Sequence, residues 1–131
     1  MIKIVIPTNP ITKKNHGRIV QKKFPSGKSV PIMLPSEAYK KYESFCKDYM
    51  PKLENPINEP INLKVLYYMG TKRSCDITNL LQATCDVLVK YKILEDDNYN
   101  IVSSVDGTKV FYDKDNPRAE IYIDKQKEPC E

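Results

Sequence analysis

Residues 75–88 read CDITNLLQATCDVL, and residues 94–100 follow with LEDDNYN. At 100° per residue, Ile77, Leu80, Leu81, Thr84, Val87 and Leu88 fall on one broad face of a helix. Asp76, Asn79, Ala83, Asp86 and Lys90 form a narrow stripe beside it. The spacing predicts a helix from about Asp76 to Lys92. A helix of that length spans roughly 24 Å, so its ends cannot meet unaided. If the helix stops early, or the EDD segment folds back along the Asp86 stripe, then Asp76, Asp86 and Asp97 become neighbours. Carboxylates gathered in this way repel one another, and Mg²⁺ relieves the repulsion through oxygen ligands. A cation held there could activate a water molecule and neutralise charge developing on a phosphodiester. Each residue also has an ordinary reading: Asp76 as a helix N-cap, Asp86 as a polar-face residue, and EDDN as a turn.

Working outward, INLKVLYYMG before this helix reads as a strand rich in β-branched and aromatic residues. Further upstream, PSEAYKKYESFCKDYM reads as a helix with Ser36 as N-cap and Glu37 in its first turn. Tyr39, Tyr42, Cys46 and Tyr49 recur at helical spacing as core positions, and Pro51 is the expected stop. At the N-terminus, IKIVIP is a first strand. Residues 18–24 and 29–34 can pair across PSGK as a basic hairpin arm. Downstream, IVSSVDGTKVFYD is either one kinked strand or a hairpin turning at Asp106-Gly107, and RAEIYID is a last strand. The expected fold is therefore α/β of the α+β type. A small mixed sheet of about four strands carries two main helices, with the basic arm attached. One domain over residues 1–125 is expected, with residues 126–131 expected to be a mobile tail.

The chain has 131 residues and a net charge of +4, unevenly spread. Residues 1–50 hold ten Lys/Arg against three Asp/Glu, whereas residues 51–131 hold eleven against fourteen. A basic half beside an acidic cluster suits a polyanion handled near metal-binding carboxylates, although Lys-rich loops also serve solubility. No apolar run approaches the roughly 20 residues needed to cross a bilayer. The start of the chain lacks the pattern of a signal peptide, so a cytoplasmic protein with no membrane association is expected. Cys46, Cys75, Cys85 and Cys130 form no C-x-x-C pair, and His16 is the only histidine, which argues against zinc. Cys46 and Cys85 fit as small buried hydrophobes. His16 receives no role.

The run RSCDITNLLQATCDVLVKYKILEDDNYNIV, residues 73–102, resembles the core motif of the RusA family of Holliday-junction resolvases. That motif reads D-x-D-N-L-x-K, then an Asp on the same helix, then a D-D pair before a strand. Here it becomes Asp76-Ile77-Thr78-Asn79-Leu80, then Asp86, then Asp96-Asp97. PITKKN at 10–15 and LPSEAYKKYESF at 34–45 resemble further family segments more loosely.

The resemblance implies a homodimer that nicks four-way DNA junctions in paired, symmetric cuts, in recombination and repair. It implies Mg²⁺ as cofactor, with Mn²⁺ a possible substitute, and a prophage context is common for such proteins. By position, Asp76 and Asp97 would be the main metal ligands and Asp96 a supporting carboxylate. Asn79 and Asp86 would shape or brace the site.

Two positions depart from the motif. Thr78 stands where a second Asp is expected, and Gln82 where a lysine is expected. Asp86 could supply the missing negative charge, and Lys13 or Lys14 the missing cation. Lys13, Lys14, Arg18, Lys22, Lys23 and Lys28 are candidate contacts to backbone phosphates, as are Lys72 and Arg73. Two other readings remain open. One is a junction-binding protein whose cleavage is weak or lost through Thr78 and Gln82. The other is a plain interaction module in which the aspartates are caps and turns.

Overall fold

A computed structural model describes residues 1–13, 18–34 and 36–126. Lys14, His16 and Cys130 lie outside the described residues, as does the expected tail, residues 126–131, apart from Gln126. The main sheet contains β1 (Ile2–Ile6), β4 (Ile61–Met69), β5 (Val102–Ser104), β6 (Lys109–Tyr112) and β7 (Arg118–Lys125). A separate two-stranded sheet pairs β2 (Arg18–Lys23) with β3 (Ser29–Leu34). The helices are α1 (Glu37–Lys47) and α2 (Ile77–Lys90). The mixed α+β architecture is the one expected, with five strands in the main sheet rather than about four. Among the described residues no helix is long and apolar enough to cross a membrane.

β4 is the organising strand. It runs antiparallel to β7, which in turn runs antiparallel to β1. Its side chains alternate, so Ile61, Leu63, Val65, Tyr67 and Met69 are buried while the residues between them are half-exposed. That period of two makes one apolar face, on which the core is built. Ile4 and Ile6 of β1, and Ala119, Ile121 and Ile123 of β7, extend it.

On the other edge of β4 lie β5 and β6, both parallel to it. Since both segments run in the same direction, residues 101–113 form a kinked strand, and a hairpin at Asp106-Gly107 is excluded. Gly107 takes φ +89° at the kink, a region that favours glycine. Side chains repair the broken ladder there. Asn62 Oδ1 accepts from Asp106 N at 2.8 Å, and Thr108 Oγ1 accepts from Val65 N at 3.1 Å.

Ser36 caps α1 as expected, its Oγ accepting from Tyr39 N at 3.1 Å. The helix ends at Lys47 with Asp48 as C-cap, four residues before the expected stop at Pro51. Tyr39, Tyr42 and Cys46 are buried, but Tyr49 is exposed and packs instead on the exposed Phe45, ring centres 5.1 Å apart. Leaving the helix at Lys47 rotates Tyr49 off the core face.

The buried side of α2 comprises Leu80, Ala83, Thr84, Cys85, Val87 and Leu88. Ala83 is thus in the core and not on the polar stripe, and Ile77 is exposed. The outward stripe runs Asn79, Gln82, Asp86 and Lys90. The hydroxyls of Tyr67 and Thr84 lie 2.6 Å apart in the interior and tie α2 to β4.

Candidate active site

What places the EDD segment is the way α2 ends. Lys92 adopts φ +61°, unusual for a residue with a Cβ. Lys92 N donates to Val89 O at 3.1 Å and Ile93 N to Leu88 O at 2.9 Å, the paired bonds of a Schellman reversal. The reversal drives Ile93 and Leu94 into the core, where both are fully buried. The connector before β4 then grips the returning chain, since Ile57 N donates to Ile93 O and Glu95 N to Ile57 O, each at 2.9 Å. Apolar burial at positions 93 and 94 therefore turns the acidic loop back along the helix it has just left.

Asp97 comes to rest beside the outward stripe of α2. Gln82 Nε2 donates to Asp86 Oδ1 at 3.0 Å and, more weakly, to Asp97 Oδ2 at 3.4 Å. Beneath them, burial first and then the charges of Asp97 and Asp86 push the Cys85 thiol up to about 12. Asp86 Oδ2 also lies 3.2 Å from Lys13 Nζ. The same ammonium sits 5.3 Å from the centre of the buried Tyr39 ring. Asp96 is turned to the loop itself: its Oδ1 accepts from Asp97 N at 2.8 Å and its Oδ2 from Asn98 Nδ2 at 2.9 Å.

Asp76 occupies the N-cap position of α2, yet its side chain makes no capping hydrogen bond. The ordinary capping role therefore does not account for this carboxylate. It lies six residues before Gln82, about 9 Å along the helix axis. The structure thus brings Asp86 and Asp97 together and leaves Asp76 outside that group. Among the described residues no three His, Cys, Asp or Glu side chains gather closely enough to hold a metal ion. The donor chemistry nevertheless suits Mg²⁺, which is commonly held by one or two carboxylates together with substrate phosphates and waters. The arrangement fits a cation shared with a phosphate better than one caged by protein alone.

The candidate cations are distributed around this region. Arg73 faces a cleft of about 160 Å³ just before Asp76, shared with Asn9, Thr71 and Ser74. Lys72 lies over the Tyr112 ring at 5.3 Å from its centre. Lys22, Lys23 and Lys28 are exposed on the arm, and Arg18 opens β2. Larger clefts, about 590 and 630 Å³, lie elsewhere, beside Asp106 and Gln126 and beside Tyr91 and Lys92. Asp76 and Asp96 are exposed, and Asp86 and Asp97 are half-buried.

The order of the aspartates, the strand before α2 and the strand after the loop all lie within one matched segment: a family model for endodeoxyribonuclease RusA covers residues 7–124. The chain belongs to the RusA endodeoxyribonuclease family. No curated protein matches it. Membership implies endonuclease activity of the Holliday-junction resolvase type.

Within this RusA-family chain, sequence reasoning treated Gln82 mainly as a lost lysine and missed its position between two carboxylates. The signal was present, because Gln82 and Asp86 stand at i and i+4 on one helix. The partnership of Tyr39 with Lys13 carried no such local signal.

Proposed function

We propose that this chain is a Mg²⁺-dependent, structure-selective endodeoxyribonuclease that cuts four-way DNA junctions in paired nicks as a homodimer. Mn²⁺ is the expected substitute, and recombination or repair of DNA in the cytoplasm, including that of a prophage, is the setting. The observation that carries this reading is the return of Asp97 onto α2 beside Asp86, within the RusA-family segment. By their positions in the family motif, Asp76 and Asp97 are assigned to the cation and Asp96 to its support, with Asp97 beside Asp86 and Asp76 outside that pair. A divalent cation bound there would supply charge neutralisation at the scissile phosphate and activation of water.

This chain's own residues do the rest. The arm lysines Lys22, Lys23 and Lys28, together with Lys13, Lys14, Arg18, Lys72 and Arg73, hold backbone phosphates without reading sequence. Asp86 braces the loop, and Asn79 and Thr78 shape the helix end of the site. The lysine held against Asp86 supplies positive charge near the phosphate that Gln82, being neutral, does not. Two subunits are required because a symmetric resolution needs one cut in each of two strands.

A second reading has its own support. The amide of Gln82 occupies both Asp86 and Asp97, and no three-carboxylate group forms among the described residues. A protein that binds junctions and cuts them slowly or not at all would have these features.

One experiment separates the two. A labelled synthetic four-way junction is incubated with the protein across a range of Mg²⁺ and Mn²⁺ concentrations, with a linear duplex as control. Paired cuts in the junction that vanish in Asp76→Asn and Asp97→Asn support the endonuclease. A retarded junction left intact in every metal supports the binding protein.

A further inference from the structure

The four aspartates differ in what already holds them. Both oxygens of Asp96 accept hydrogen bonds inside the loop. Both oxygens of Asp86 are engaged, one by Gln82 and the other by Lys13. Asp97 receives only the longer bond from Gln82 among the described side chains, and Asp76 receives no capping bond.

The Gln82–Asp86 contact follows from helical spacing and would form in α2 alone. The Gln82–Asp97 contact is tertiary, joining the loop to the helix. One amide nitrogen has two N–H groups, enough to serve both carboxylates. A neutral donor relieves repulsion between the two acids without cancelling their charge. Lys13, backed by the Tyr39 ring, balances Asp86 from its far side.

We propose that Gln82 is a positioning residue, its amide fixing the Asp97 carboxylate against α2 with Asp86 as the anchor and Lys13 as the anchor's counter-charge. The consequence for cleavage rests on the endonuclease reading, but the positioning is a property of the chain without DNA or metal.

The test compares wild type with Gln82→Met, which matches the shape but cannot donate, and with Gln82→Lys, which can. Backbone hydrogen exchange of residues 95–100 is read in the free protein. The expected result is exchange faster by about two- to five-fold in Gln82→Met, the scale of one modest hydrogen bond. Gln82→Lys restores wild-type protection, and the melting temperature is essentially the same in all three. Gln82→Ala, which keeps high helix propensity, carries the same expectation as Gln82→Met should the latter fold poorly. In the cleavage assay, Gln82→Met needs several-fold more Mg²⁺ for half-maximal rate while junction affinity stays unchanged. Unchanged loop exchange in both donor-free variants, or no recovery with lysine, overturns the proposal. A wild-type protein that never cuts, but whose loop exchange follows the donor, leaves Gln82 as the positioning residue and removes the endonuclease reading instead.

Discussion

One side chain spans Asp86 and Asp97: Gln82 Nε2 donates to Asp86 Oδ1 at 3.0 Å and, more weakly, to Asp97 Oδ2 at 3.4 Å. The two acids meet across a chain reversal, so the pairing depends on how α2 ends as much as on α2 itself. The consequences can be tested separately in the site, the arm, the helix–sheet contact and the buried thiols.

The aspartates should fall into two classes. Asp76→Asn and Asp97→Asn are expected to lower junction cleavage by roughly 10²-fold or more, the scale on which removing a group that stabilises transition-state charge acts. Asp86→Asn should cost less, because its carboxylate is engaged by Gln82 and Lys13. All three should still shift the junction in a gel. Equal loss in Asp86→Asn and Asp97→Asn would show that Asp86 acts directly on the substrate.

The arm is expected to act through phosphates. Each Lys contact to the backbone contributes about 0.9 to the slope of log affinity against log salt. Replacing Lys22 and Lys23 together by Ala should therefore flatten that slope by about 2 and weaken binding to junctions of every sequence alike. Titrations at several salt concentrations read this directly. A variant with the wild-type slope would place the arm away from DNA.

Thr84 is predicted to matter for stability through Tyr67. Thr84→Val keeps the shape but leaves the buried Tyr67 hydroxyl without its 2.6 Å partner, at a cost of about 1–3 kcal/mol. Thr84→Ser retains an oxygen and should cost less. Urea unfolding measures both, and equal losses would mean that the methyl group rather than the hydroxyl matters.

Two thiols set an alkaline limit. Burial pushes Cys46 up to about 11 and Cys85 up to about 12, from 9.0 in the unfolded chain. Stability tied to the protonated thiols is full below pH 9 and is lost as pH rises through the folded values. The unfolded chain releases those protons first. Between pH 9 and 11 the loss is about 1.4 kcal/mol per pH unit for each thiol. Urea midpoints at pH 8 and pH 10 should diverge in wild type and diverge less in the Cys46→Ala/Cys85→Ala protein, where only the buried Tyr39, Tyr42 and Tyr67, also raised by burial, keep part of the fall. An equally steep fall in that double variant would assign the effect to other groups.

The sequence by itself determined the elements and the order of the acids. Alternation along residues 61–69 and helical spacing along residues 77–90 are local, so they are legible before any folding. The family motif placed Asp76, Asp86, Asp96 and Asp97, and the charge imbalance marked the arm. Tertiary structure alone decided which acids meet. Ala83 is buried and Ile77 is not because β4 and its neighbours fix the rotation of α2, which periodicity leaves uncertain by a residue. Residues 101–113 form one kinked strand because both halves pair with the same edge of β4, a partner remote in sequence. Asp97 reaches Gln82 because burying Ile93 and Leu94 forces Lys92 into a left-handed turn. No composition or spacing rule encodes that turn, because its driving force is apolar surface contributed by distant strands.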